Sequence, residues 1–481
     1  MATTKLTFGE WMPDQPSITG ALVDAKNVVS QAVGYGPLPT AATFSAVAAE
    51  NLTTLVAGKT PVNATKLFAA GTTKIYDVSG VGALTDVSKT GGYTPNAAVD
   101  RFRFTQFGNV IIGTNNSDPM QAYTLGTSTA FADLAAGAPV CKFLTVVRDF
   151  VVTAFTTESS TVYPTRVRWS GIDAETSWGS SQVTQADFQD IADGGQIVGI
   201  RGGEFGLVLM EKGISRMSYV GTPFVFQFDN ISRGKGCIAA GSIAQVQGVT
   251  FFLSDDGFYM CDGQQITAIG SEKIDRWFFG EADESAFDTM SAAVDPVRKL
   301  IIWNFKTTFA QRKLIIYNFR TQKWTYGDAG TDYISDASTS ATTLEGLDSI
   351  SNSIDALTVS LDSILYMGGK YFLGGTSGAY VVTYNGAPAT GQIITGDLNA
   401  GGRSVVTLAR PMIDGGSATV SVASRTLLSE QTSFGTAGTA DADNRISLRS
   451  NGNYHQFKVV PTGTWKTAVA LDVEIQGQGV R

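Results

Sequence analysis

Short apolar or alternating runs, separated by turn residues, recur along most of this 481-residue chain. The helical period of 3.6 is absent from these runs, and alternation with a period of two is typical of strands. Turn sequences such as Asp262-Gly263 and Asn385-Gly386 lie between them. We therefore predict an all-β protein. The clearest strand runs lie at residues 66–78, 102–113, 143–155, 206–210, 215–228, 246–261, 299–305 and 313–319.

Pairs of these runs have the form of repeated small sheets. Residues 295–305 and 313–324 each form a strand run, and the second ends on Trp324 after a polar turn. A related succession of strand residues, turn residues and aromatic residues occurs at 167–178 and 251–259, and a less regular one occurs at 371–386. Radial repetition of small sheets is typical of a β-propeller, and we predict a β-propeller-like domain. A β-sandwich with long insertions is the alternative.

The stretch from 325 to 369 interrupts this rhythm because it has no Lys or Arg. Its seven acidic residues nearly equal the net charge of −8 of the whole chain: Asp328, Asp332, Asp336, Glu345, Asp348, Asp355 and Asp362. A Leu/Ile-Asp-Ser/Ala-Ile/Leu motif repeats every seven residues from Leu347 to Ile364, the spacing of a helical apolar seam. Ser, Thr and Asn lower the helix propensity, and a strand is also compatible with part of it. Two interpretations of this stretch stay open. It is either an acidic element that faces a channel or a neighbouring subunit, or a solvated surface insertion.

From about residue 387 the chain becomes richer in arginine and alternates cleanly in several runs. We predict a small β-sandwich or platform domain here. The predicted organisation is an extended N-terminal arm at 1–40, a propeller-like domain at 41–330 and an acidic heptad-bearing insertion at 331–369. The last propeller strands follow at 370–386, and the C-terminal β domain at 387–481.

Composition narrows the class of protein. A content of 43% hydrophobic residues suffices for the cores of two or three domains. We expect no membrane span, since no apolar run approaches ~20 residues, and no signal peptide, so folding in a cytoplasm is expected. The negative net charge argues against a surface that binds DNA tightly, because such a surface must neutralise phosphates with Lys and Arg. It does not exclude contact with DNA that slides past without binding. Cys141, Cys237 and Cys261 are predicted to be buried thiols.

Candidate chemistry is sparse. The single histidine, His455, has no second histidine for a metal site, and no Gly-x-Ser-x-Gly elbow is present. We therefore expect no catalytic residues, no metal and no cofactor. Trp169, Trp178 and Trp303 are candidates for stacking on sugars if exposed, which would favour a carbohydrate-binding or glycan-degrading propeller; blade core is the preferred interpretation.

An extended arm lies between Glu10 and Thr40, with four prolines and three glycines. Proline excludes a long helix there, because it lacks an amide donor and restricts the preceding residue. The arm also carries Trp11 and Tyr35, which are costly to expose to water. It is therefore expected to be held against its own domain or against a neighbouring subunit.

Both ends of the chain resemble one family, the tail nozzle (tail hub) proteins of short-tailed bacteriophages. At the N-terminus the resemblance is carried by the motifs Trp11-Met12-Pro13-Asp14-Gln15-Pro16, Asp24-Ala25-Lys26-Asn27-Val28 and Gly34-Tyr35-Gly36-Pro37-Leu38-Pro39. At the C-terminus it is carried by Arg410-Pro411-Met412-Ile413-Asp414-Gly415, Arg425, the 449–455 segment and the closing 472–481 segment. The acidic repeat before the last domain is also similar to that family.

The resemblance implies a structural virion protein of the viral tail, synthesised in the host cytoplasm. Such a subunit is expected to form a homohexamer, to bind the tail adaptor below the portal, to carry fibres or spikes, and to let double-stranded DNA pass during genome ejection without reading its sequence. We predict channel-lining roles for Glu345, Asp348, Asp355 and Asp362, because acidic groups repel phosphates. Trp11, Tyr35, Arg410 and Arg449 are the predicted subunit-interface residues. A cellular propeller scaffold is a third, weaker possibility.

Overall fold

A computed structural model of the chain describes residues 2–60, 65–78, 82–95, 97, 100–338, 353 and 371–478. The heptad repeat, and with it the predicted channel-lining residues Glu345, Asp348, Asp355 and Asp362, lies outside the described residues. Those predictions therefore stay predictions.

Five short strands form from the N-terminal segment. The proline and glycine residues between them keep each strand short, because proline removes a ladder donor. These strands are β1 (Ala2–Thr7), β2 (Asp24–Lys26), β3 (Val28–Ser30), β4 (Tyr35–Pro37) and β5 (Ala42–Thr43).

The next twenty strands form five antiparallel meanders of four strands each, which we name blades I to V. Blade I comprises β6 (Thr54–Lys59), β7 (Thr65–Ala70), β8 (Ile75–Val78) and β9 (Leu84–Asp86). Blade II comprises β10 (Arg103–Phe107), β11 (Val110–Thr114), β12 (Gln121–Thr124) and β13 (Ala132–Asp133). Blade III comprises β14 (Val140–Val147), β15 (Phe150–Glu158), β16 (Thr161–Trp169) and β17 (Asp187–Asp190). Blade IV comprises β18 (Ile197–Arg201), β19 (Gly206–Met210), β20 (Gly213–Gly221) and β21 (Val225–Arg233); blade V comprises β22 (Ala244–Val246), β23 (Val249–Ser254), β24 (Gly257–Cys261) and β25 (Ile266–Ala268).

Two further meanders follow. Blade VI comprises β26 (Ser291–Asp295), β27 (Leu300–Lys306), β28 (Arg312–Asn318) and β29 (Lys323–Asp328). Blade VII comprises β30 (Tyr333–Ser338), β31 (Tyr371–Ser377) and β32 (Tyr380–Thr383), with β5 as its fourth strand. The N-terminal segment thus supplies the outer strand of the last blade, which ties the two ends of the propeller together.

The small sheets stand in a ring, and the predicted β-propeller is confirmed. Six of them, blades I to V and blade VII, are separate four-stranded sheets in the described part of the chain, while blade VI forms the start of a larger sheet. Blade VI lies in the same ring, because its first strand contacts the first strands of blades V and VII. The first strand of every blade, or the segment leading into it, borders one central cavity.

The C-terminal strands extend the sheet of blade VI. They are β33 (Gln392–Ile394), β34 (Leu398–Asp414), β35 (Ser417–Arg425), β36 (Gly438–Thr439), β37 (Ile446–Thr462) and β38 (Thr467–Gly477). Together with blade VI and β1 to β4 they make a 14-stranded sheet, in which β2 connects β29 to β33. Helical elements among the described residues include α1 (Asp275–Glu281) and 3₁₀ turns at Ser17–Thr19, Ala240–Ser242 and Glu284–Thr289. No helix in these ranges has both the length and the apolar character to cross a bilayer.

One hydrophobic core joins the arm, blades V and VI, and the C-terminal strands. Trp11, Phe258, Trp303, Phe457 and Leu471 all belong to it. The predicted division into an arm at 1–40 and a C-terminal domain at 387–481 therefore differs from the structure, in which these two segments share a sheet and a core. We call this shared region, formed by the arm, α1, blade VI and β33–β38, the terminal joint.

The predicted start of the acidic insertion at residue 331 also differs from the structure. Residues 333–338 form β30, the first strand of blade VII, and Ser338 pairs with Tyr371. Asp328 lies at the end of β29 and forms an ion pair with Lys26 at 3.0 Å. Asp332 accepts a hydrogen bond from the Gly378 amide at 2.7 Å. Asp332 therefore belongs to the propeller rather than to the predicted insertion, and Asp328 lies within the predicted propeller-like domain.

Candidate functional site

The Trp-x-Pro-Asp-x-Pro motif of the arm caps helix α1. The residue that precedes this helix, Ile274, offers no side-chain acceptor for the free amides of the first turn. Asp14 supplies it from 262 residues away, because its carboxylate accepts hydrogen bonds from the amides of Arg276 at 2.9 Å and Trp277 at 2.8 Å. Nearby, Lys273 pairs with Glu10 at 2.7 Å. The arm is therefore held by its own chain.

The two aromatic residues of the arm that were predicted at a subunit interface lie in this core instead. Trp11 is 1% exposed, with its ring centroid 4.9 Å from that of Trp277 and 5.0 Å from that of Tyr326. Tyr35 is fully buried, and its hydroxyl donates to the Gly9 carbonyl oxygen at 2.6 Å. The interface prediction is corrected for Trp11 and Tyr35, because side chains buried within one chain have no surface left for a neighbour.

The second arm motif connects β29 to the C-terminal strands. The carboxylate of Asp24 accepts hydrogen bonds from the Tyr326 hydroxyl at 2.7 Å and from the amide of Gln392. Burial raises the pKa of Asp24 above its ordinary value. Asn27, with a positive φ of 55°, accepts from the Asp328 amide at 2.8 Å and donates to the Thr390 carbonyl oxygen at 3.2 Å. Each polar group of this motif therefore meets a partner from a distant segment.

The third connection is a buried ion pair. Arg425, one of the residues that carries the family resemblance, donates to both carboxylate oxygens of Asp397, whose side chain is fully buried. Ser17 of the arm donates to the same carboxylate and lies 3.2 Å from the Arg425 guanidinium. A buried charge is tolerated when it is paired and hydrogen-bonded in this way.

The other two predicted interface residues lie on the surface. Arg410 on β34 and Arg449 on β37 are both exposed, and the two strands are hydrogen-bonded neighbours in the large sheet. Their guanidinium groups are accessible from solvent. A role at a subunit interface stays a prediction for these two residues.

His455 is fully buried in the C-terminal strands. Its two ring nitrogens lie 2.8 Å from the Ser404 hydroxyl and 2.6 Å from the Ser424 hydroxyl. Burial lowers the pKa of the imidazole, so the neutral form is favoured. A histidine enclosed by two hydroxyl groups inside the core has a structural role. Within the described residues, no group of three or more His, Cys, Asp or Glu side chains is arranged to hold a metal ion.

The tryptophans considered for sugar stacking are core residues. Trp169 and Trp178 are each 2% exposed and Trp303 is fully buried. The preferred blade-core interpretation of these three residues is confirmed. The three cysteines are also buried, as predicted, and burial raises the pKa of the Cys141 thiol to about 12.

The central cavity of the propeller has a volume of about 320 Å³. Its lining includes three arginines and one carboxylate, so its net formal charge is +2 in a protein whose overall charge is −8. The charged lining residues are Arg101, Arg103, Arg201 and Asp336. We call these four residues the cavity cluster.

The arginines of the cavity cluster bridge blades by donating to backbone carbonyl groups. Arg101 reaches from blade II to the carbonyl oxygen of Met290 at 2.6 Å, at the start of blade VI. Arg201 reaches from blade IV to the carbonyl oxygen of Ile243 at 2.6 Å, at the start of blade V. Arg103 donates to the carbonyl oxygen of Lys142 in blade III at 3.3 Å, and its guanidinium carbon lies 4.7 Å from the Phe143 ring centroid.

Desolvation affects the charge of every member of the cavity cluster. It lowers the pKa of Arg101 and Arg201, and burial together with the charges of Arg101 and Arg201 lowers that of Arg103 to about 9. Desolvation inside the ring raises the pKa of Asp336 even though the residue is exposed, and the charge of Arg201 partly opposes this rise. Positive charge thus accumulates here against an electrostatic cost.

The cavity cluster was not predicted from the sequence. Arg101 and Arg103 alternate with the buried Phe102, a period-two pattern that indicates a strand with one charged face. That signal was available, but only closure of the ring turns this face toward the axis. Asp336 was grouped with the acidic insertion, although it lies on β30.

Comparison with known proteins gives structural likeness alone. No family model and no curated protein matches the chain. A crystal structure of a puromycin hydrolase has 10% sequence identity and a TM-score of 0.37, over 70% of this chain and 60% of the hydrolase chain. An exo-β-1,3-galactanase from Phanerochaete chrysosporium with galactose has 11% identity and a TM-score of 0.30, over 83% of this chain and 100% of the galactanase. A putative exported protein from Bacteroides fragilis has 10% identity and a TM-score of 0.29, over 58% of this chain and 88% of that chain.

Proposed function

We propose that this chain is a structural subunit of a bacteriophage tail nozzle ring, which extends the channel for genome ejection. The observation that carries the proposal is the terminal joint. The segments that resemble the nozzle family lie about 400 residues apart in sequence, yet Asp14, Asp24, Tyr35 and Arg425 all hold together one sheet and its helix. The two ends of the resemblance are thus parts of one structural unit.

The exposed arginines of the large sheet are the proposed ring contacts. A cyclic ring joins two different patches on each subunit, so an exposed cationic patch requires an acidic patch on the neighbour. Arg410 and Arg449 provide the cationic side on neighbouring strands. The acidic residues Glu345, Asp348, Asp355 and Asp362 are the proposed lining of the DNA channel, where like charge prevents adhesion of phosphates.

The proposed partners follow from this role. Six copies are expected around the channel, bound to the tail adaptor on one side and to fibre or spike proteins on another. DNA is expected to pass transiently and without sequence recognition.

Assembly with the adaptor tests the proposal. Mass photometry of the full chain, mixed with the adaptor protein from the same phage, is expected to show a species containing six copies of the 50.8 kDa chain. The double variant Arg410→Glu and Arg449→Glu is expected to reduce this species at least tenfold, about 1.4 kcal/mol. Arg233→Glu, an exposed change on the outer strand of blade IV, is the matched control. Absence of any ring with the wild-type chain and adaptor would contradict the proposal.

A further inference from the structure

A groove opens on the surface of the terminal joint where four turns meet. It lies between the β3–β4 turn of the arm, the β26–β27 and β28–β29 turns of blade VI, and the β37–β38 turn. Its volume is about 510 Å³, and the described residues that line it include no carboxylate. The cationic residues of the lining are Arg298, Lys299, Arg320 and Lys466. We call this site the joint groove.

The charge of the joint groove is offset only in part by a neighbouring carboxylate. The Arg298 guanidinium lies 3.9 Å from the carboxylate of Asp295. Asp295 is buried and accepts hydrogen bonds from two amides of its own turn at 2.9 and 3.0 Å, so it is held beneath the groove. Within the described residues, no ion pair involves the side chains of Lys299, Arg320 or Lys466. Four cations and one carboxylate leave a formal charge of +3 in a protein whose net charge is −8.

Hydrogen bonds between the turns hold the walls of the joint groove in place. The Asn318 side chain donates to the Ser30 carbonyl oxygen at 2.9 Å, which joins blade VI to the arm. The same side chain accepts from the Arg320 amide at 3.0 Å. On the other wall, the Gln31 side chain donates to the Lys466 carbonyl oxygen at 3.3 Å. The backbone that carries the cations is therefore organised before a ligand binds, which lowers the entropic cost of binding.

Apolar side chains share the lining of the joint groove with the cations. They include Val29, Ala32, Pro37 and Val297. Val297 is 69% exposed, so a ligand can cover it. Trp465, the aromatic residue in the described lining, is only 4% exposed and offers no ring face for the stacking that single-stranded nucleic acid uses. Cations beside an exposed apolar group instead complement an acidic peptide that carries an apolar side chain.

We propose that the joint groove binds an acidic peptide segment of a partner protein, in which carboxylates pair with Lys299, Arg320 and Lys466 and one aliphatic side chain covers Val297. The segment is defined by its chemistry, since it carries carboxylates on both sides of a Leu, Ile or Val. Binding needs only the isolated chain, so the proposal is tested separately from assembly of a nozzle ring.

Isothermal titration calorimetry on the purified full chain at low salt tests this proposal with four probes. They are the end-blocked peptide Asp-Glu-Leu-Asp-Glu, the same peptide with Ser in place of Leu, the uncharged peptide Asn-Gln-Leu-Asn-Gln, and a thymidine pentanucleotide. The acidic Leu peptide is expected to bind with a Kd of about 1 mM or tighter. The Ser peptide lacks the apolar contact and should bind about threefold more weakly. The pentanucleotide should bind at least ~3-fold more weakly than the Leu peptide, since it finds no exposed ring, and the uncharged peptide should not bind detectably.

Substitutions at exposed residues separate the groove from the overall charge of the protein. Arg320→Glu with Lys466→Glu is expected to weaken binding of the Leu peptide at least ~10-fold, because two pairing cations become repulsive. Lys212→Glu with Arg233→Glu, on blade IV, changes the net charge equally and is the matched control, which should keep the affinity within about threefold. Val297→Ser should weaken the Leu peptide about threefold and leave the Ser peptide unchanged. All five residues are exposed, so the variants are expected to fold.

Three results would overturn the proposal. One is the absence of Leu-peptide binding by the wild-type chain at about 10 mM peptide. Another is an equal loss of affinity in the two double variants, because the peptide would then respond only to net charge. The third is a pentanucleotide that binds more tightly than the Leu peptide, which would make the groove a site for nucleic acid.

Discussion

The charged side chains of the terminal joint and those of the central cavity differ in the groups with which they pair. In the joint, Arg425 meets the carboxylate of Asp397, and the Asp14 carboxylate meets the free amides of a helix start. In the cavity, three arginines face one carboxylate and donate to neutral carbonyl groups instead. Groups that match in charge hold distant segments of one chain together in the joint, whereas in the cavity the arginines connect neighbouring blades through backbone carbonyl groups.

The largest expected effect comes from breaking the buried ion pair of the joint. Arg425→Ala leaves Asp397 buried without its cation, so the free energy of unfolding should fall by about 3–5 kcal/mol. Urea denaturation of the full chain measures this loss. Arg449→Ala, on an exposed side chain of the same sheet, is the control and should change it by less than about 0.5 kcal/mol. Equal losses in the two variants would remove the contrast between buried and exposed arginines.

The cap that the arm provides should contribute less. Asp14→Ala removes the acceptor for two amides of α1, and a lost cap costs about 0.5–2 kcal/mol. Asp14→Asn retains a side-chain acceptor and should lower the free energy of unfolding by only a few tenths of a kcal/mol. If urea denaturation gives the same stability for Asp14→Ala and the wild type, the arm does not stabilise the helix.

A pH effect of order 1 kcal/mol is expected from Asp275, the first residue of α1. Burial raises its pKa to about 7 from an ordinary 3.8, so the folded chain binds the proton more tightly than the unfolded chain. The stability that this group contributes is fully present below pH ~4 and is lost as the pH rises through 7. Asp275→Asn should flatten the fall in melting temperature between pH 5 and pH 9, as followed by circular dichroism. Parallel curves for the two proteins would show that this carboxyl group does not titrate as described.

The smallest effect is expected in the cavity. Arg103→Met replaces a half-buried cation, whose pKa is lowered by desolvation and by its arginine neighbours, with an apolar chain that still reaches Phe143. Replacing a largely desolvated charge with an apolar chain is often neutral or stabilising, so the change in the free energy of unfolding should stay within about 1 kcal/mol. A loss as large as that of Arg425→Ala in urea denaturation would mean that the cavity arginines are primarily structural.

The sequence predicted the class of fold because the information for it is local. Alternation, turn residues and repeated strand pairs identified the blades, including β27 and β28, which contain Asn304 and Tyr317. It did not resolve how the arm is used, because the partners of Trp11 and Asp14 lie more than 250 residues away and an apolar arm looks the same whether it packs on its own chain or on another.

The candidate site was harder to predict for a related reason. The alternation of Arg101 and Arg103 with Phe102 shows which side chains share a face of the strand, but not which face turns to the axis of the ring. Arg201 and Asp336 come from other blades, and only ring closure brings them to the same cavity. Local pattern therefore predicted strands but not the site between them.

Cryo-electron microscopy of the tail of the phage that encodes this chain tests the central claim most directly. The account predicts a closed ring of six copies next to the adaptor, with the terminal joint intact in each copy and the acidic residues Asp348, Asp355 and Asp362 directed toward the channel. A tail whose ring is built from another protein, or a ring in which the arm of one copy caps the helix of its neighbour, would contradict it.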